Sequence, residues 1–275
     1  MPEGPEVRTM ADEIRKVFVG KTCKDVEIRS GKYTRHGFPL GYDKFRESLP
    51  LELAEVHVKG KFSYWRWKNK RGEYVWDQWV QYGMSGYFCS PLYVEREIPH
   101  IRTPERAKDC SHHGHIWFLF ENGPLVFSDM RNFGHITWTE NHEETLDYLN
   151  KLGPDPLEED LTREWWVETI KTIKPKKFIA DSLLDQEFLS GIGNYLRSEI
   201  LWKAQLYPGK TWGELTEDER ERFYVTLQSV PLEKSEEDEL TFWVYQAKMD
   251  PNGNPVEGMK WKGRTIWYAP KVQKK

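Results

Sequence analysis

Leu152-Gly153-Pro154-Asp155-Pro156 is where the chain changes character, and the fold class turns on what lies to either side of it. Proline fixes φ, lacks an amide hydrogen and pushes the residue before it toward extended backbone, so neither a helix nor a central strand runs through such a stretch. Upstream, Val, Tyr, Trp and Phe alternate with polar residues over Asp25 to Ser30, Leu53 to Lys59, Phe62 to Trp67, Tyr74 to Gln81, His115 to Phe120, Leu125 to Phe127 and His135 to Trp138. Turn formers at Asn69 to Gly72 and Glu121 to Pro124 separate these segments, and the spacing predicts an antiparallel sandwich or barrel. Downstream, helical patterns run over Thr162 to Thr172, Phe178 to Asp185, Asn194 to Ala204 and Glu217 to Gln228. Past Val244 the composition shifts to Gly, Pro, Asn and Trp, and Lys260 to Pro270 reads as a small hairpin. The expected class is α+β: an antiparallel β-sandwich domain over 1–140 opened by a short helix, a linker over 141–156, a helical domain over 157–247, and a hairpin with a basic tail over 248–275.

Composition narrows the possibilities without choosing among them. A chain of 275 residues suits two modest domains. Its three cysteines, Cys23, Cys89 and Cys110, are far apart and form no CxxC pair, which argues against a disulfide framework or a thiolate zinc site and suits a reducing interior. No long uncharged apolar run occurs, so neither a signal peptide nor a membrane span is expected, and the anticipated location is intracellular. The net charge of -4 does not advertise nucleic-acid binding. Charge is segregated, however: acids crowd Glu158 to Glu164, Glu214 to Glu221 and Glu233 to Glu239, whereas Lys171 to Lys177 and Lys260 to Lys275 contain none. Such runs are either solvated faces or the makings of a basic surface on an acidic protein.

Two local motifs admit two readings each. Met1-Pro2-Glu3-Gly4-Pro5-Glu6 leads into Val7, Met10, Ile14 and Val17, spaced by three and four as on one face of a helix. Pro5 could simply start that helix, with Glu3 and Glu6 complementing its dipole. Alternatively, removal of Met1 would expose Pro2 as a secondary amine; α-amino groups titrate near ~8 rather than the ~10.4 of lysine, so such an amine is a nucleophile near neutral pH. Likewise, Leu189-Ser190-Gly191-Ile192-Gly193-Asn194 is either a plain connection between helices or, through amides freed at the start of the next helix, an anion clamp.

Further segments bring these motifs together, and the chain resembles the formamidopyrimidine-DNA glycosylase / endonuclease VIII family over nearly its whole length. Val56 to Phe62 is similar to the family strand that presents an essential lysine, here Lys61. Gln81-Tyr82-Gly83-Met84-Ser85-Gly86 and Ser128-Asp129-Met130-Arg131-Asn132-Phe133-Gly134 resemble the loops whose side chains, here Met84, Arg131 and Phe133, fill the space left by an extruded nucleotide. The family commonly has a second arginine where this chain has Asn132. His113, in His112-His113-Gly114-His115, aligns with a DNA contact, and Glu6 joins that set; no nearby cysteine or carboxylate completes a metal site from these histidines, and no metal or cofactor is expected. Leu189 to Leu196 closely resembles the helix-two-turn-helix, with Asn194 as the phosphate contact. Gly263 to Tyr268 resembles the tip of the C-terminal β-hairpin finger, with Arg264 on the phosphate beside the lesion. Because no cysteine follows Cys110, the finger looks like the zincless one of the endonuclease VIII-like 1 branch known from vertebrates and a giant virus.

The resemblance implies a bifunctional DNA glycosylase and abasic-site lyase of base excision repair, binding DNA in a cleft between its domains. Pro2 would displace the damaged base and form an iminium, Glu3 and Lys61 would assist, Arg264 would hold the phosphate, and β- then δ-elimination would cut the strand. Only the acidic stretch Pro231 to Leu240 separates Val230 from Thr241, with no long lesion-capping loop, so oxidised pyrimidines and hydantoins are the expected lesions, in double- or single-stranded DNA. The protein is expected to act as a monomer. Two rivals remain: a module that binds damaged or abasic DNA without cutting it, and a lyase acting on abasic sites alone.

Overall fold

The computed structural model describes residues 2–92, 110, 113–158, 161–237 and 239–275; His112 of the histidine cluster lies outside the described residues. Two compact units emerge, one holding Pro2 and Glu6–Lys151, the other Leu152–Lys275 together with Glu3–Pro5. No described helix is long and apolar enough to cross a membrane.

In the first unit, helix α1 (Gly4–Phe18) buries Val7, Met10, Ala11, Ile14 and Phe18 in the core, the stripe that its three-and-four spacing dictates. Eight strands follow among the described residues: β1 (Thr22–Ile28), β2 (Leu51–Lys59), β3 (Phe62–Lys68), β4 (Tyr74–Gln81), β5 (Gly86–Cys89), β6 (Gly114–Phe120), β7 (Gly123–Asp129) and β8 (His135–Thr139). They make one continuous antiparallel sheet in the order β5-β7-β6-β1-β2-β3-β4-β8. Register shifts at Cys23/Asp25 and Leu53/Glu55 flank the short β1–β2 pairing, where extra residues bend the strands and let the sheet fold over. Strands remote in the hydrogen-bonded order consequently meet through their side chains. Phe88 of β5 packs at a tilt against Trp65 of β3 with centroids 4.8 Å apart, and Phe118 of β6 lies 5.9 Å from Trp65 and 6.3 Å from Trp138 of β8. The result is the expected sandwich, formed by a single sheet closing on its own aromatic core.

Three features of this unit depart from the sequence expectation. Short helices α2 (Tyr33–His36) and α3 (Tyr42–Glu47) interrupt the β1–β2 connection, and β5 extends a segment expected only as a loop. The expected linker 141–156 contains a ten-residue helix, α4 (His142–Lys151). Its attachment is polar rather than apolar, which hides it from periodicity. Thr145 Oγ1 donates to the buried Asp77 carboxylate at 2.7 Å and accepts from Trp79 Nε1 at 2.8 Å, while His142 Nδ1 lies 2.7 Å from the same carboxylate.

The second unit is helical. Helix α5 (Arg163–Thr172) is capped by the Thr162 hydroxyl, which accepts from the Trp165 amide; α6 (Ile179–Ser182) is shorter than the expected Phe178–Asp185; α7 (Asn194–Lys203) and α8 (Glu217–Glu236) pack together through Leu196, Ile200, Phe223 and Leu227. Thr216 and Glu219 form a reciprocal capping box at the start of α8. That helix continues through Pro231, well past the expected end at Gln228, because buried Lys234 anchors its last turns on the Glu237 carboxylate and the Thr241 carbonyl. A hairpin of β9 (Glu257–Trp261) and β10 (Arg264–Tyr268) follows, turned by Lys262 and Gly263 at φ 46° and 79°, and Ile266 plugs it into the helical core.

Replacing Phe118 by alanine removes a ring shared by both layers of the sandwich, and a loss of ~3–5 kcal/mol in unfolding free energy is expected. Denaturant titration of purified variants checks this; a midpoint indistinguishable from the parent would mean that the two layers do not meet through this ring.

Candidate functional site

The residues singled out in the sequence fall into distinct settings, and the most constrained is Glu3. Its side chain is 2% exposed and its carboxylate accepts three backbone hydrogen bonds: Gly193 N to Oε2 at 2.7 Å, Tyr195 N to Oε1 at 3.0 Å and Leu196 N to Oε2 at 3.1 Å. These amides open α7, whose N-cap residue, Gly193, has no side chain to cap it. Glu3 performs that task from 190 residues away, with its negative charge at the positive end of the helix dipole. Gly193 is obligatory for this approach, since a β-carbon there would lie 2.2 Å from Glu3 Oε1. One residue further, Gly4 N donates to the Gly191 carbonyl at 2.9 Å.

Because Glu3 caps the helix, Asn194 is released for other work. Its Nδ2 donates to the Thr265 carbonyl in β10 at 3.0 Å, and its Oδ1 accepts from Arg197 Nη2 at 2.5 Å. Arg197 was not singled out by sequence, yet it is 1% exposed and its Nε has no hydrogen-bond partner among the described residues. Burial lowers its pKa to about 10, with the nearby Arg264 guanidinium adding to the shift. Arg264 itself is exposed at the first position of β10, directly after the hairpin turn. The second unit thus gathers one buried carboxylate and two guanidiniums, one of them solvent-facing, around the start of α7. An anionic group with access to that exposed guanidinium would find bidentate donors.

In the first unit the two expected loops do come together. Met84 is 40% exposed and Phe133 50% exposed, with Arg131 beside them, its guanidinium carbon 5.1 Å from the Phe133 ring centroid. Large apolar side chains held outward on two adjoining loops are poised to enter an apolar or aromatic stack. The post that holds both loops is Asp129, 1% exposed: its carboxylate accepts from Ser85 Oγ of the Met84 loop at 2.5 Å, from Arg131 N at 3.2 Å and from Gly134 N at 2.6 Å. Asn132 takes a left-handed conformation, φ 57°, and its side chain accepts from Lys32 N at 3.0 Å. Lys32 Nζ in turn donates to the Gly134 carbonyl at 2.6 Å and lies 3.2 Å from His135 Nδ1. Burial, and secondarily the Lys32 charge, lowers the His135 pKa. His113, exposed and left-handed at φ 58°, accepts at its carbonyl from Asp129 N at 3.1 Å and so adjoins the same post.

The remaining expected residues occupy less defined settings. Pro2 is half-buried, Glu6 is buried in the first turn of α1, and Lys61 forms with Gly60 the two-residue turn between β2 and β3, half-buried. Among the described residues no group of three or more His, Cys, Asp or Glu is arranged to hold a metal ion. Asp129 lay inside a quoted motif, and its acidity amid loop residues was the signal that it holds them. Arg197 carried no signal beyond its place three residues after Asn194.

Comparison with known proteins adds the following. Residues 1–136 match the family model described as the formamidopyrimidine-DNA glycosylase N-terminal domain, and residues 152–242 match its H2TH domain. The chain is 30% identical over 223 residues to the formamidopyrimidine-DNA glycosylase of Streptococcus pneumoniae, covering 80% of this chain and 72% of that one. It is 31% identical over 226 residues to the Bacillus anthracis protein of the same name (82% and 74% covered), and 27% identical to that of Heliobacterium modesticaldum with both chains covered in full. Among solved structures, Lactococcus lactis Fpg (MutM) in complex with DNA containing an oxidised pyrimidine superposes with a TM-score of 0.81 at 22% identity, covering 100% of both chains. The same protein bound to DNA containing an abasic site gives 0.80 at 21% identity, with 99% of this chain covered. These likenesses establish the fold, an N-terminal antiparallel sheet and a helical domain with the helix-two-turn-helix.

Substituting alanine for Gly193 places a β-carbon inside the Glu3 carboxylate, so the three-amide cap is expected to break, with a loss of ~2 kcal/mol or more in stability. Thermal unfolding, with amide exchange at Tyr195 and Leu196, tests it; unaltered protection at both amides would contradict the capping role. Separately, Lys32→Met should raise the pKa of His135, read by NMR titration. His135 is depressed when folded, so its contribution to stability is present above the unfolded pKa and is lost as pH falls through the folded one, and by bringing the two closer the variant should make that loss smaller. An unmoved His135 titration would deny the coupling.

Proposed function

This chain belongs to the formamidopyrimidine-DNA glycosylase family, and from that premise we propose that it excises oxidised pyrimidines and hydantoins from DNA and then cuts the strand, with Pro2 as nucleophile. The observation that carries the reading is the fixed Glu3 carboxylate, covalently next to Pro2 and held by three amides at the start of α7. A carboxylate so held needs no rearrangement to stabilise positive charge developing on a sugar.

With Met1 removed, the Pro2 nitrogen attacks the anomeric carbon and the damaged base departs. The sugar ring then opens to an iminium. The cationic nitrogen draws electrons from the neighbouring carbon, whose proton is lost as the bond to the 3′ phosphate breaks; a second elimination releases the 5′ phosphate. Lys61 assists proton transfer, and Arg264 with Asn194 holds the phosphate beside the lesion. Met84, Arg131 and Phe133 occupy the space vacated by the extruded nucleotide, and their joint presentation on loops tied by Asp129 supports that role. His113 and Glu6 complete the proposed DNA-contacting set.

The finger lies beyond both family matches, which end at residue 242. Its lack of cysteine supports placing the chain with the zincless-finger, endonuclease VIII-like 1 branch. The lesion preference follows from the same region: α8 runs to Glu236, so the acidic stretch that separates the helical bundle from Thr241 is mostly helix and leaves little chain for a capping loop. We assign the protein to a DNA-containing compartment and to action as a monomer on double- or single-stranded DNA, with no cofactor.

Borohydride reduction during reaction with a duplex carrying 5-hydroxyuracil or thymine glycol tests the mechanism. A covalent protein–DNA adduct is expected from the processed protein, and its loss from Pro2→Gly or from an N-terminally extended form. Tight binding without any adduct would replace the enzyme with a module that only binds damaged DNA.

A further inference from the structure

Arg264 stands at the end of a hairpin that is only five residues long on each strand, yet a phosphate-binding guanidinium must be held to within a fraction of an ångström to be effective. Apolar attachment of the hairpin comes from Ile266, buried in the helical core, and, next to the tip, from the Trp261 ring, which meets Phe178 edge-on at 4.9 Å. On β10, Asn194 Nδ2 donates to the Thr265 carbonyl at 3.0 Å and Ser198 Oγ accepts from Trp267 N at 3.2 Å. These fasten the strand beyond Arg264, not the turn before it.

Beside that ring contact, the polar hold on the turn comes, among the described residues, from one side chain. Asp181, in α6, accepts from Trp261 Nε1 at Oδ1 over 2.8 Å and from Lys262 Nζ at Oδ2 over 2.7 Å. Trp261 is the cross-strand partner of Arg264, and Lys262 is the first residue of the two-residue turn that separates them. A single carboxylate therefore grips two of the four residues that define where Arg264 begins. Its charge also lies near two cations, Lys262 and Arg197, the second of which is repelled by Arg264.

We propose that Asp181 is a positioning residue: it clamps the tip of the hairpin and offsets the surrounding positive charge, and so sets the guanidinium of Arg264 for phosphate. This rests on the reading of Arg264 as a phosphate ligand. Asp181 acts through Arg264 and touches neither DNA nor the reacting sugar.

The test is a double-mutant cycle on the full chain, read by affinity for a duplex carrying a tetrahydrofuran abasic analogue and by single-turnover scission of an abasic duplex. Asp181→Ala should weaken binding by about tenfold. Arg264→Ala should weaken it at least as much, and the double variant should be no worse than Arg264→Ala alone. Asp181→Asn, which keeps an acceptor for Trp261 but loses the charge facing Lys262, should fall between Asp181→Ala and the parent. Trp261→Phe, which keeps the ring and removes one bond, guards against a variant that fails to fold. Unimpaired Arg264→Ala would overturn the phosphate reading and the clamp with it. Impaired Arg264→Ala beside a normal Asp181→Ala, or additive losses in the double variant, would overturn the role of Asp181 alone.

Discussion

The three hydrogen bonds from the start of α7 to the Glu3 carboxylate are the constraint from which the rest of the second unit follows. A helix whose N-cap is glycine has to find its capping acceptor elsewhere, and here it finds one in a residue at the far end of the chain. Glycine at 193 and glutamate at 3 are thus two halves of one device: the absence of a side chain at one position makes room for the side chain of the other. With the cap supplied from outside, the Asn194 amide is free to reach the hairpin, and Arg197 is drawn down onto Asn194. Capping, finger attachment and the placement of a buried cation are consequences of a single substitution of roles between two residues.

The first unit meets a different demand. Met84 and Phe133 are held in water, against the tendency of apolar side chains to be buried. Backbone alone would let such loops fold down onto the sheet. The buried Asp129, with donors from both loops, fixes their stems so that the apolar tips have no inward path. The core beneath is already filled by closely spaced aromatic rings, among them Trp65, Phe88 and Phe127, which leaves no volume for them to occupy.

Much of this was legible in the sequence. The prolines at 154 and 156 mark the change from strands to helices, Tyr74–Gln81 is a strand over the full predicted span, and α7 begins at Asn194 as expected. Two of the hidden helical stretches are held by polar contacts, which periodicity does not register. Helix α4, inside a stretch that reads as linker, is anchored through Thr145 and His142 on Asp77. The last turns of α8 depend on buried Lys234, which reads as surface lysine until its partners are known. Of the site, Glu3, Asn194 and Asp129 stand inside quoted motifs, whereas Arg197 and Asp181 look like ordinary charged positions on helices. Periodicity detects where apolar surface goes; it is silent about where a charge is paired.

The folding of one sheet over its own core also leaves β5 and β8 as its outermost strands among the described residues. An open strand margin is a template for pairing with another chain, which is how soluble β proteins begin to aggregate. In this protein β5 spans four residues and β8 five, too short to seed a long ladder. On β8 the Trp138 amide is already taken, donating to the Leu40 carbonyl at 2.9 Å from the loop before α3. The loop with the exposed Phe38 and Leu40 therefore serves as a selvedge along part of β8, a finished border that occupies an amide with which another chain would pair.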